Sequence, residues 1–183
     1  MPGGCVVWLN GAFGVGKTTV ARALAAELPD ALVMDPEDIG RMLHKVAPAA
    51  RRTTDFQDIP SWRRVTVATI ESLLRDHPVP LVVPMTVVDP NYFDETVGRL
   101  RRAGITVHHF TLAAGPKTIR RRLLGRVSVP WATCWALRRV QRCTSALRSP
   151  LFATHVDTEH RSVPDIAATI ARDVLTSDAC APR

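Results

Sequence analysis

Lysine is scarce in this sequence. Of 24 basic residues only Lys17, Lys45 and Lys117 are lysine, and the rest are arginine. The four cysteines (Cys5, Cys134, Cys143, Cys180) show no C-x-x-C spacing and no accompanying histidine pair. That spacing argues against a structural zinc site and gives no disulfide framework, so a reducing cytoplasm is the expected compartment. No apolar run approaches the roughly 18 residues that cross a bilayer, and nothing near Met1 reads as a signal peptide. Internal repeats and low-complexity segments are missing as well. The chain lacks an N-K-x-D guanine signature, and the apolar run Leu81–Thr86 does not end on an acidic residue. These two absences argue against GTPases and against large ATPases.

The formal charge is +7 over 183 residues. Nucleic acid, a membrane surface or a phosphorylated ligand would each suit it. The basic runs carry little aromatic interleaving, which weakens the nucleic-acid reading. A mixture is expected, with one arginine cluster serving nucleotide phosphates and the remainder solvated on helix faces. With 46% apolar residues, the chain can build one core, over residues 1–176, followed by a short polar tail, 177–183.

The strongest positive signal is Gly11-Ala12-Phe13-Gly14-Val15-Gly16-Lys17-Thr18, a full match to the phosphate-binding loop G-x-x-x-x-G-K-[ST]. An apolar run (Cys5–Leu9) precedes it and a helical pattern (Thr19–Leu28) follows. A strand, a glycine turn and a helix start together present backbone N–H groups and partial positive charge to a polyanion. Lys17 would reach the β- and γ-phosphates, and Thr18 would offer its hydroxyl to Mg²⁺. ATP and Mg²⁺ are therefore the expected cofactors, held by Gly11 to Thr19 and by Arg122.

Apolar runs and helical patterns alternate through the rest of the chain. Strands are expected at Ala31–Asp35, Val79–Thr86, Ile105–Leu112 and Phe152–Asp157. Helices are expected at Pro36–Lys45, Pro60–Asp76, Pro90–Ala103, Pro116–Arg126, Pro130–Arg148 and Val163–Leu175, with a loop over Ala47–Pro60. This order implies a three-layer α/β/α fold of the P-loop kinase type, with a five-stranded parallel sheet and a helical lid over about 120–148.

Asp35 closes the second strand, where parallel sheets place their ligands. There it would accept or position the proton of an acceptor hydroxyl while a phosphoryl group moves in line. Asp-Pro-Glu is also a good helix start, so Asp35 can cap as well. Asp35 or Asp38 would order Mg²⁺ through water. Arg122 and Arg126 share a helix face at four-residue spacing, and their forks suit the charge that spreads over transferring oxygens. Lys17, Asp35, Arg122 and Arg126 are the expected catalytic set. Phe56, Trp62, Tyr92 and Phe93 are expected to line an apolar acceptor groove. The partner is a small molecule rather than nucleic acid, and the chain is expected to be a monomer or homodimer.

Beyond the loop, the sequence resembles the bacterial tunicamycin-resistance proteins, which have the P-loop kinase fold along with chloramphenicol phosphotransferase. The resemblance is carried by W-L-N-G-A-F-G-V-G-K-T (Trp8–Thr18), D-P-E (Asp35–Glu37), D-F-Q (Asp55–Gln57), W-R (Trp62, Arg63), V-P-M-T (Val83–Thr86) and Y-F (Tyr92, Phe93). V-H-H-F-T-L (Val107–Leu112) and S-P-L-F (Ser149–Phe152) complete it. It implies ATP binding and resistance to a uridine-containing antibiotic with a sugar arm and an acyl chain. It places the acceptor against Asp35, Asp55, Phe56, Gln57, Trp62, Arg63, Met85, Thr86, Tyr92 and Phe93. A sequestering protein that holds ATP without transfer, a metabolic small-molecule kinase and a nucleic-acid 5′-hydroxyl kinase are the competing readings.

Overall fold

The computed structural model describes residues 4–125 and 130–177. Five parallel strands run in the order β2-β3-β1-β4-β5. β1 (Val6–Gly11) is central and wholly buried, as a continuous apolar run flanked on both faces by helices has to be. It pairs with β3 (Leu81–Pro84) and β4 (Val107–Ala113), with Trp8 opposite Val83 and His109. β2 (Leu32–Val33) and β5 (His155–Asp157) form the two edges.

The twofold period of β1 sorts its side chains into two cores. Val7 and Leu9 pack with α1 (Lys17–Glu27), α6 (Pro116–Leu124), α7 (Pro130–Ala146) and α8 (Val163–Leu175), through Leu24, Ile119, Val140 and Ile170. Val6 and Trp8 pack on the opposite face with α3 (Pro60–Asp76), through Trp62, Val67 and Ile70, and with Leu100. α2 (Pro36–Val46) lies over the site end of the sheet and starts on the Asp35 cap.

The expected element order holds throughout, with shorter strands at the edges. The Val79–Thr86 run is strand only from Leu81 to Pro84, since proline offers no N–H to continue the ladder. The Pro90–Ala103 helix is two α segments, α4 (Pro90–Phe93) and α5 (Arg99–Arg102), joined by a π turn over Asp94–Gly98. Phe152 closes a 3₁₀ turn, Pro150–Phe152, instead of opening the last strand. Cys5 is disulfide-bonded, contrary to the expectation drawn from cysteine spacing, and Cys134 and Cys143 are free thiols. The expected tail at 177–183 falls almost entirely outside the described residues.

Candidate active site

The phosphate loop leaves β1 at Gly11 and enters α1 at Lys17. Gly11 has φ +144°, and a Cβ there would meet the Leu112 carbonyl oxygen at 2.8 Å. At Gly14, with φ +84°, a Cβ would lie 2.5 Å from Leu123 of α6. Both positions therefore exclude a side chain on conformational and steric grounds. The turn is braced from below by Asn10, which is fully buried. Its Oδ1 accepts from the N–H groups of Gly11 (2.8 Å) and Val87 (3.0 Å), and its Nδ2 donates to the Val87 carbonyl at 2.9 Å. Sequence reasoning missed Asn10. Its signal was a polar residue closing an otherwise apolar strand.

Lys17 folds back on the loop. Its Nζ donates to the Gly11 carbonyl at 2.9 Å, the Ala12 carbonyl at 3.3 Å and Thr86 Oγ1 at 2.7 Å. Thr86 in turn donates to the Gly11 carbonyl at 2.8 Å. Thr86 is buried and so acts by positioning Lys17, while its neighbour Met85 lines the cavity beside the loop. The Thr18 and Thr19 hydroxyls belong to exposed residues at the start of α1.

One cavity of about 740 Å³ opens above the carboxyl ends of β1 and β3. Lys17, Thr18, Asp35 and Glu37 share it with the apolar side chains of Phe13, Phe56, Met85 and Trp135. Asp35 Oδ1 accepts the Glu37 N–H at 3.0 Å, capping α2, and leaves the carboxylate on the cavity side. Glu37, which the sequence reading passed over, is the second carboxylate here. Burial raises its pKa, the Asp35 charge raises it further, and Lys17 and Arg41 oppose both. Asp38 turns outward, 73% exposed at its side chain, and pairs with Arg41 at 2.6 Å. It does not reach the cavity.

The cavity lining includes the hydroxyl of Thr18 and the carboxylates of Asp35 and Glu37, oxygen ligands of the kind Mg²⁺ prefers. Among the described residues no group of three or more His, Cys, Asp or Glu is placed to hold a metal alone. Mg²⁺ in phosphoryl-transfer sites takes one or two protein oxygens and completes its shell with phosphate and water. The Thr18 hydroxyl and the Asp35 and Glu37 carboxylates fit that demand.

The expected arginines divide. Arg122 donates from Nη1 to the Val15 carbonyl at 2.9 Å and to Thr158 Oγ1 at 3.1 Å, and from Nη2 to the Thr158 carbonyl at 2.7 Å. It ties α6 and the segment after β5 to the back of the phosphate loop. Arg126 lies outside the described residues. Arg41 and Arg52 line the cavity, and the arginine that clamps its Asp55 wall from behind is Arg139 of α7, whose Nη1 donates to Asp55 Oδ2 at 2.6 Å. Sequence reasoning passed over it, since nothing local distinguishes it from its basic neighbours.

The acceptor groove expected between Asp55–Trp62 and Tyr92–Phe93 is occupied by the protein's own side chains. Arg63 is buried there, with its guanidinium 4.0 Å from the Tyr92 ring centroid. It pairs with Glu95 at 2.6 Å and donates to the Gln57 carbonyl at 2.5 Å. Trp62 is 0% exposed and donates its indole N–H to the Pro36 carbonyl at 2.8 Å. Phe93 is buried edge-on against His109 and Phe152. Gln57 is buried between Asp55 and the Val88 N–H. Of the D-F-Q triplet, Phe56 gives the cavity its aromatic wall. Its ring sits where a Cβ on Gly40 would be, and it packs edge-on against His44 at 4.8 Å.

The sequence profile of the AAA domain family matches residues 6–149. The tunicamycin resistance protein of Deinococcus radiodurans shares 31% identity and superposes with a TM-score of 0.78, over 98% of this chain and 99% of that one. A gluconokinase from Sinorhizobium meliloti 1021 (18% identity, TM-score 0.59, 93% of each chain) has the same fold. So does the APS kinase of Mycobacterium tuberculosis solved with AMPPNP and APS (17%, TM-score 0.62, 97% of this chain and 100% of that one). No curated protein sequence matches the chain.

Proposed function

The chain belongs to the AAA domain family of P-loop proteins and, within it, to the tunicamycin-resistance proteins, and from that premise we propose that it is an ATP-dependent small-molecule phosphotransferase. The acceptor is a hydroxyl of tunicamycin or of a related uridine-containing nucleoside antibiotic. Bound ATP supplies the phosphoryl group, and Mg²⁺ neutralises charge on its oxygens. The observation that carries the reading is the cavity in which Lys17, Thr18 and the carboxylates of Asp35 and Glu37 meet an apolar wall. Its volume falls within the range of small-molecule sites, roughly 300–1,000 Å³.

The residues divide the work. Loop amides and the α1 start hold the phosphates. Lys17 leaves the Gly11 and Ala12 carbonyls to take phosphate oxygens, and Thr86 guides its return. Asp35 accepts the acceptor's hydroxyl proton as that oxygen bonds to the γ-phosphorus and the bond to the β–γ bridging oxygen breaks, releasing ADP. Arg122 keeps the back of the loop fixed, and Leu123 of α6 with Trp135 and Ala136 of α7 wall the cavity against water. Phe56, Met85 and Trp135 give the acceptor's apolar part its surface.

The test is antibiotic-dependent ADP formation. With Mg-ATP, ADP release should rise in proportion to tunicamycin and stop when the antibiotic is consumed. ADP release that ignores the antibiotic, alongside tight antibiotic binding, would favour a sequestering protein instead.

A further inference from the structure

Asp55 is a carboxylate withdrawn almost wholly from water, at 4% exposure. A charge so placed must be met by donors. Two come from its own segment, the Gln57 N–H at 3.3 Å and Gln57 Nε2 at 2.9 Å. The third comes from 84 residues away, Arg139 Nη1 at 2.6 Å. That guanidinium also lies over the Trp135 ring, 4.5 Å from its centroid. Trp135 in turn meets Phe13 of the phosphate loop edge-on at 4.7 Å. An unbroken set of contacts thus runs from the Asp55 segment, across one turn of α7, to the loop that holds phosphate. Asp55, Trp135 and Phe13 all border the same cavity. The C-terminal half of α7 is fixed in the core by Val140, Cys143 and Leu147 just beyond it. Arg139 and Trp135 stand one and two turns before Cys143 on the same helix face.

We propose that Arg139 is a positioning residue that links occupancy of the phosphate loop to the placement of the acceptor-side segment, residues 53–59. When phosphates move the loop, Phe13 carries Trp135, and the stacked guanidinium carries Asp55. Burial leaves Asp55 no water to fall back on, so its segment follows the guanidinium rather than releasing it. Linkage makes the effect mutual: an acceptor that orders the segment favours nucleotide by the same factor. Arginine is required because one planar group has to stack on an indole and fork to a carboxylate at once, and lysine does not do both.

Amide hydrogen exchange on the full chain, with and without Mg-AMPPNP, tests this directly and needs no acceptor. In the wild-type protein the nucleotide analogue should slow exchange across residues 53–59 by about fivefold or more, the lower range of typical site-to-site coupling. Arg139→Met should bind the analogue with unchanged affinity and lose that slowing, and Arg139→Lys should recover only part of it. The Arg139 side chain is 31% exposed, so the variants should fold, and thermal melting checks it. Slowing that survives in Arg139→Met overturns the proposal. Loss of analogue binding also overturns it, because Arg139 would then be a nucleotide ligand. A kinetic arm rests on the transferase reading: Arg139→Met should raise the acceptor KM about tenfold at saturating ATP and, by the same linkage, raise the ATP KM at saturating acceptor by a similar factor. If the wild-type protein transfers nothing, that reading fails while the exchange result still decides the role of Arg139.

Discussion

At the scale of single residues, the same side chain often serves loop and ligand in turn. Lys17 braces the loop through hydrogen bonds to Gly11, Ala12 and Thr86, so its role is structural as well as electrostatic. Lys17→Ala should therefore abolish ATP binding and also lower the melting temperature by several degrees, since bonds to a charged donor contribute about 1.5–3 kcal/mol. Calorimetry and thermal melting read the two effects separately, and wild-type ATP affinity in this variant would contradict the phosphate-loop assignment. Asp35→Asn keeps a good helix cap and removes the proton acceptor. Transfer should fall by about 10²-fold or more with ATP affinity retained; near wild-type transfer would move the base to Glu37. The aromatic residues divide relative to the sequence expectation, with Phe56 on the cavity wall and Trp62 in the core. Trp62→Ala should destabilise the fold by about 3–5 kcal/mol as a core truncation. Phe56→Ala should leave the fold intact and raise the acceptor Kd roughly tenfold. Trp62 departs from the expected groove for a physical reason. An aromatic residue that faces a core and one that faces a ligand follow the same apolar pattern, and only the Trp62 hydrogen bond to Pro36 and the Gly40 notch under Phe56 tell them apart.

At the scale of elements, β4 carries a titration that the sequence hides. His109 is buried against Phe93, with Nδ1 2.9 Å from the Ala153 carbonyl and Nε2 without a hydrogen-bond partner. Its pKa falls from 6.5 to about 4: burial lowers it most, the Ala153 contact opposes this, and the Arg101 and His155 charges add to the lowering. Between those two values the unfolded chain binds a proton that the folded protein refuses, so stability is full above pH 6.5 and falls as the pH drops toward 4. The loss amounts to about 3 kcal/mol. Urea unfolding from pH 7.5 to 4.5 should show this decline, and His109→Leu should flatten it; an unchanged slope in the variant would assign the decline to other groups. Element order was legible because periodicity and proline or glycine punctuation are local signals. The D-F-Q knot was not, because its closing donor, Arg139, comes from a helix far along the chain. The same holds for Arg63, which looks like a surface arginine until Tyr92 and Glu95 are placed around it.

At the scale of the molecule, the sheet order puts β1 between β3 and β4, so the phosphate loop and the segment after β3 emerge side by side. Asn10 fixes that adjacency, and Asp35 arrives directly from the end of the edge strand β2, at the cap that starts α2. This is why a motif at the start of the chain and carboxylates two elements later face one cavity, and why the site could be anticipated from strand ends alone. The partition of the cavity could not, since it depends on which rings and guanidiniums fill the space between α3, α4 and α7. The central claim is that this cavity moves a phosphoryl group to an antibiotic hydroxyl. Mass spectrometry of tunicamycin incubated with the protein and Mg-ATP tests it most directly. The account predicts antibiotic heavier by one phosphoryl group, formed by the wild-type protein and by neither Lys17→Ala nor Asp35→Asn. Recovery of unmodified antibiotic from wild-type protein that binds both ATP and tunicamycin would contradict it.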